Sequence, residues 1–134
     1  MFNKLLKLAE NSYSPYSHFR VSAIVVMNDG NEFEGVNVEN ASYGGTICAE
    51  RVAITTAVSN GYKKGDFKEL HIMCADSSKI STCCFLCRQV ISELFDKESI
   101  ITCYDKNGNK TEFKVADLCP YPFDEDDLKW KVVL

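Results

Sequence analysis

Apolar residues at Phe2, Leu5, Leu6 and Ala9 recur at i, i+3, i+4 and i+7, the spacing of one helix face, and Ser14-Pro15-Tyr16-Ser17 ends that period. A β-branched run from Val21 to Met27 follows. Turn chemistry at Asn28-Asp29-Gly30-Asn31 then leads into Phe33 to Val38, with apolar residues at 36 and 38, so this region predicts a hairpin. Beyond a polar, glycine-containing loop over residues 40–46, Ala49, Ala53, Ile54, Ala57 and Val58 mark a helix that stops near Asn60-Gly61. Leu70 to Ala75 reads as a buried strand. Leu86, Val90, Ile91, Leu94 and Phe95 set out another helix, and Ile100 to Tyr104 another strand. The turn Asp105-Lys106-Asn107-Gly108 leads into a last strand from Thr111 to Val115. The order α-β-β-α-β-α-β-β predicts an α/β fold, a three-layer α/β/α arrangement around a mixed five-stranded sheet.

At 134 residues the chain fits one domain, 1–134, with enough buried surface for a core that needs no disulfide staples. Its 15 basic and 19 acidic side chains give a net charge of −4, and no basic run exceeds Lys63-Lys64. A nucleic-acid binder needs a basic face to neutralise phosphates, so this balance argues against such a partner. The N-terminus lacks the apolar core of a signal peptide and no stretch approaches the ~20 apolar residues of a membrane span. A cytoplasmic protein without a membrane partner is expected.

The seven cysteines, at 48, 74, 83, 84, 87, 103 and 119, change the picture most. An odd count with three crowded into positions 83–87 reads as metal or catalytic chemistry rather than a disulfide framework. Cys74 and Cys103 lie inside apolar strand-like runs, where a free cysteine acts as a small buried hydrophobe. The other feature is a pair of motifs, Cys48-Ala49-Glu50 and Cys84-Phe85-Leu86-Cys87, each at the start of a predicted helix. Helix starts stabilise thiolates through free N–H groups and the positive dipole end. Arg51 and Arg88 each follow a proposed ligand and could offset further charge, or could be ordinary surface arginines. Three protein ligands leave zinc an open position for water, whereas structural zinc is normally closed by four. Cys83 and Cys119 remain candidates for a distant fourth ligand at this stage.

With these motifs in view the chain resembles the homotetrameric cytidine deaminase family. The block from Gly35 through Asn37, Glu39, Tyr43 and Cys48 to Arg51 is similar to that family's signature over seventeen consecutive positions. The resemblance implies one Zn²⁺ per subunit on Cys48, Cys84 and Cys87, with Glu50 as the proton shuttle. It also implies that Asn37 and Glu39 bind the ribose 3′-hydroxyl, that Phe19 packs on the base, and that Ala49 belongs to the substrate site. A carboxylate at position 39 would repel a nearby phosphate, which favours free nucleosides. Tyr43 and Phe123 are expected to complete a neighbour's site in a homotetramer, although Tyr121 and Phe123 could equally form a lid on their own subunit. Implied activity is hydrolysis of cytidine and 2′-deoxycytidine to the uridine nucleosides with release of ammonia, in pyrimidine salvage. One departure sits at the metal: Cys83, Phe85 and Leu86 stand where the family usually has Pro, Gly and Ala. Two rival readings are a non-enzymatic zinc or redox module built on Cys83, Cys84 and Cys87, and a deaminase acting on bases in RNA or DNA.

Overall fold

The computed structural model describes residues 1–128. Its centre is a mixed five-stranded sheet in the order β2-β1-β3-β4-β5. Strand β1 (Val21–Met27) pairs antiparallel with both β2 (Glu32–Val36) and β3 (Phe67–Cys74), while β4 (Phe95–Tyr104) pairs parallel with β3 and antiparallel with β5 (Lys110–Lys114). The single parallel step, β3 to β4, is the one spanned by a helix, as a parallel connection requires. The predicted α/β class and mixed sheet are what the chain adopts.

Strand alternation divides the core between two faces. Ala23, Val25 and Met27 of β1 pack with α2 (Ala49–Ser59) and α3 (Phe85–Leu94) on one side. Ile24 points to the other, where α1 (Phe2–Leu8) supplies Leu5 and β3 and β4 supply Met73 and Tyr104. Ser22 is fully buried on that second face, and its hydroxyl donates to the Leu5 carbonyl at 2.7 Å, so the polar group is not left unpaired. Short helices α4 (Val115–Leu118) and α5 (Glu125–Leu128) follow the sheet.

Several boundaries move. The second strand ends at Val36, because Asn37 turns inward and Val38 instead bridges Tyr13 and Ile47. Strand β4 begins at Phe95, five positions before its apolar run. Its charged residues 96–98 are exposed, which hid the extension, while Phe95 anchors it against Phe67 at 5.0 Å between ring centroids. Val58 and Leu86 match a helical stripe yet stand exposed, and Val115 opens α4 instead of closing β5.

One close approach sets where α2 lies. A Cβ at Gly35 of β2 would sit 2.4 Å from the Ala49 carbonyl oxygen and 2.5 Å from the Ala53 nitrogen. Helix and strand therefore meet backbone to backbone, and neither partner can yield as a flexible side chain would. Gly35→Ala should cost about 3 kcal/mol or more by overpacking, read as a lower urea midpoint at unchanged slope. A midpoint equal to that of the unsubstituted protein would show that α2 can shift freely.

Candidate active site

Cys48 and Cys84 occupy equivalent positions, each the residue just before the first turn of a helix, with extended backbone at φ −70° and −65°. Cys87 lies in the first turn of α3. The three sulfurs fall within 4.8 Å of one another, and Cys48 and Cys84 are 3.6 Å apart. Neither leading cysteine caps its helix through a side-chain hydrogen bond, so the free N–H groups and positive ends of both helices face the cluster's region. Four-coordinate zinc with bonds of about 2.3 Å places its sulfurs about 3.8 Å apart. This donor set fits that ion, and it is the only such metal-ligating group among the described residues.

Charge around the sulfurs is arranged by Arg51. Its Nη2 donates to Cys48 Sγ at 3.6 Å, and its buried Nε finds no hydrogen-bond partner among the described residues. A hydrogen bond from Cys87, followed by Arg51 and Cys84, pulls the Cys48 thiol down to about 5. Cys87 is pushed up because its thiol donates a hydrogen bond to the Cys48 thiolate and because it is buried. Metal ligation requires deprotonated sulfur, so binding there would release thiol protons. Arg88 has a different task from the one its position suggested. Its guanidinium binds the Cys83 carbonyl at 2.7 Å, the Leu118 carbonyl at 3.0 Å and the Thr82 hydroxyl at 2.6 Å, tying the loop before α3 to α4. Cys83 and Cys119 both lie outside the sulfur cluster, and burial pushes the Cys83 thiol up.

Glu50 is 5% exposed in the first turn of α2, two residues after Cys48. Burial above all pushes its carboxyl upwards. Beside it opens a cavity of about 410 Å³, within the range that accepts a small organic ligand. Phe19, Asn37, Glu39, Cys48, Ala49 and Glu50 all border it, so these candidates come together from three separate segments. Phe19 is 42% exposed and is a wall of the cavity, not a core aromatic. Ile72 and Cys74 of β3 and Ser81 and Thr82 of the following loop line the same space; their apolar or loop context gave no signal of it. Tyr43 and Phe123 do not border the cavity of a single chain and stand 79% and 56% exposed.

The polar rim is fixed before any ligand arrives. Asn37 accepts from the Val21 N–H at 3.0 Å and from the Ser12 hydroxyl, and its amide donates to the Phe19 carbonyl at 2.7 Å. One Glu39 oxygen accepts the Tyr16 and Ser17 N–H groups at 3.0 and 3.1 Å, and the other accepts the Ser17 hydroxyl. Those bonds, the Ser17 hydroxyl first, hold the Glu39 carboxyl below the usual carboxylate range.

A family model described as the cytidine and deoxycytidylate deaminase zinc-binding region matches residues 1–103. The chain belongs to the cytidine deaminase family. A probable cytidine deaminase of Dictyostelium discoideum is 40% identical over 129 residues, covering 93% of this chain and 85% of the relative. The cytidine deaminase of Halalkalibacterium halodurans is 35% identical over 96% of this chain and 95% of its own. A crystal structure of cytidine deaminase from Burkholderia pseudomallei superposes with a TM-score of 0.84 at 36% identity, over 92% of this chain and 99% of that one. The protein is accordingly a hydrolase of the cytidine-deaminating type, and the Cys48, Cys84 and Cys87 cluster suits the metal that its family region binds.

The adjacent cysteines 83 and 84 separate cleanly by experiment. Cys84→Ser should abolish stoichiometric zinc and activity, whereas Cys83→Ser, outside the cluster, should keep at least half of the metal, about the difference between losing one of three ligands and losing none. Elemental analysis of the two purified variants decides it. Zinc retained in Cys84→Ser and lost from Cys83→Ser would reverse the assignment.

Proposed function

We propose that the protein hydrolyses the 4-amino group of both cytidine and 2′-deoxycytidine, with one zinc per subunit held by Cys48, Cys84 and Cys87 and with Glu50 moving the protons. The observation that carries this reading is a buried carboxylate and a three-sulfur cluster of which Glu50, Cys48 and Cys84 border one cavity of about 410 Å³. Zinc bound there would supply a nucleophile at neutral pH by acidifying water. Glu50 accepts a proton as water adds to C4 and delivers it to ring N3, then takes the proton of the new C4 hydroxyl and gives it to the departing amine as the C4 carbonyl forms. Water is consumed, ammonia leaves, and the carboxylate ends as it began. One group acts as base and then acid, which demands a fixed position within hydrogen-bond reach of both nitrogens. The first turn of α2 supplies that fixity.

Arg51 offsets the negative charge of the thiolates, and Ala49 presents a small surface beside the base. Phe19 packs against the pyrimidine ring, while the remaining N–H of Asn37 and the free lone pairs of Glu39 share the ribose 3′-hydroxyl as donor and acceptor. An ionised Glu39 at the rim disfavours a phosphate there, and so favours nucleosides over nucleotides or polynucleotides. We place the reaction in pyrimidine salvage in the cytoplasm, carried out by a single domain spanning residues 1–134. Tyr43 and Phe123 are exposed aromatics of the kind that anchor interfaces. In this reading they complete a neighbour's site within a homotetramer.

Glu50→Gln should retain zinc and fold while cytidine turnover, followed by ultraviolet absorbance, falls by about 10³-fold or more. Turnover within tenfold of the unsubstituted enzyme would remove Glu50 from the proton path. In the same assay both nucleosides should react and the 5′-monophosphate should be poor, and equal rates on nucleoside and nucleotide would overturn the role given to Glu39. Light scattering should report four chains, and an active monomer would contradict the shared site.

A further inference from the structure

Phe19 and Ser17 reach the cavity from a segment that is mostly loop and turn. Within it His18 adopts φ 57°, a left-handed conformation that a non-glycine residue keeps only where its surroundings impose it. Two bonds are local: the His18 N–H to the Ser14 carbonyl at 2.9 Å and the Phe19 N–H to the Ser17 hydroxyl at 3.0 Å. Two side chains from the stretch after β2 hold its middle, Glu39 accepting the Tyr16 and Ser17 N–H groups and the Asn37 amide donating to the Phe19 carbonyl.

On its C-terminal side the segment is anchored at Arg20. The last pair of the β1·β3 ladder is Val21 with Cys74, and the Ala75 N–H donates to the Arg20 carbonyl at 2.9 Å, one step further. Beyond that the carboxylate of Asp76 takes the Arg20 N–H at 2.8 Å, in the manner of a ladder carbonyl. The same carboxylate receives the guanidinium, Nε at 3.1 and 3.2 Å and Nη2 at 2.7 Å. Neither residue borders the cavity.

We propose that Arg20 and Asp76 form a positioning clasp that holds Ser17 and Phe19 in their substrate-facing places, so that substrate affinity depends on a pair that does not touch substrate. The proposal rests on reading the cavity as the nucleoside site. Exposed ion pairs commonly contribute little, because two long side chains must be ordered against solvent. This one differs in geometry, since a bidentate fork and a backbone N–H converge on one carboxylate. The pair acts on both partners in the expected sense, holding the Asp76 carboxyl below and the Arg20 guanidinium above their usual ranges. Asp76 also opens the loop that carries Ser81 and Thr82 along the cavity and ends at Cys84. The Arg20–Asp76 pair therefore joins the substrate-side turn to the metal-side loop.

The test compares zinc-loaded Arg20→Met, Arg20→Lys and Asp76→Ala enzymes in cytidine kinetics and in amide hydrogen exchange. Arg20→Met should raise KM about three- to tenfold with kcat within about twofold, the signature of lost positioning for binding. Arg20→Lys keeps the charge without the fork and should fall between. Zinc content and exchange over α3 should stay unchanged, while exchange over residues 14–20 quickens. Asp76→Ala should have the largest effect, and adding Arg20→Met to it should change nothing more. If Asp76→Ala does not fold, Arg20→Met decides alone. Unchanged KM in Arg20→Met, or a fall in kcat without a rise in KM, overturns the clasp. Should the unsubstituted enzyme fail to turn over cytidine, the substrate reading fails, and the exchange data still judge the clasp: unaltered exchange over residues 14–20 in Arg20→Met would overturn it.

Discussion

Three cysteine sulfurs within 4.8 Å of one another constrain everything around them. Two like charges about 4 Å apart repel by about 4 kcal/mol at an effective dielectric of 20, so three thiolates cannot coexist there without positive charge. The fold provides it from three directions: the starts of α2 and α3 and the Arg51 guanidinium. What these leave uncompensated is what a divalent cation supplies. The elements are placed to serve this convergence. Gly35 lets α2 lie directly on β2, and Arg88 pins the loop that delivers Cys84.

Glu50 inherits its place from the same arrangement. It shares the first turn of α2 with the residue that follows Cys48, so its distance from that sulfur is set by helix geometry and not by a loop. The residues proposed for the substrate side are held differently. Asn37 and Glu39 lie on an irregular stretch after β2, and Phe19 on the turn before β1, fixed by side-chain bonds to backbone N–H and carbonyl groups. The metal half of the site is therefore built on rigid helix starts and the substrate half on hydrogen-bonded loops. Variation in substrate preference has more room in the second half than in the first.

The metal half was legible in the chain because its signals are short-range. Cys48-Ala49-Glu50 and Cys84-x-x-Cys87 each lie within one helical turn, and the apolar stripe that follows each announces the helix. The strand Val21–Met27 was legible for the same reason, as a mostly apolar run in which Val21, Ile24, Val25 and Val26 are β-branched. Long-range features were not. Arg20 and Asp76 stand 56 positions apart, and Ile72 and Cys74 read as core because a strand residue facing a cavity has the same chemistry as one facing a neighbour. Asn37 carries a polar side chain at a strand end, where exposure is the ordinary outcome, yet it is buried because three backbone and side-chain partners surround it. Arg88 had two readings open, a charge offset for the sulfurs or an ordinary surface side chain, and it takes neither role. Following a ligand by one position puts a helix side chain about 100° around the axis from it, which here directs the guanidinium to carbonyls and not to sulfur.

The central claim is that three thiolates hold the metal and leave a fourth position open. X-ray absorption at the zinc edge of the purified, substrate-free protein tests this most directly. Three sulfur neighbours at about 2.3 Å and one oxygen or nitrogen neighbour at about 2.0–2.1 Å are the predicted shell. Four sulfur neighbours would describe a closed structural site and contradict the account.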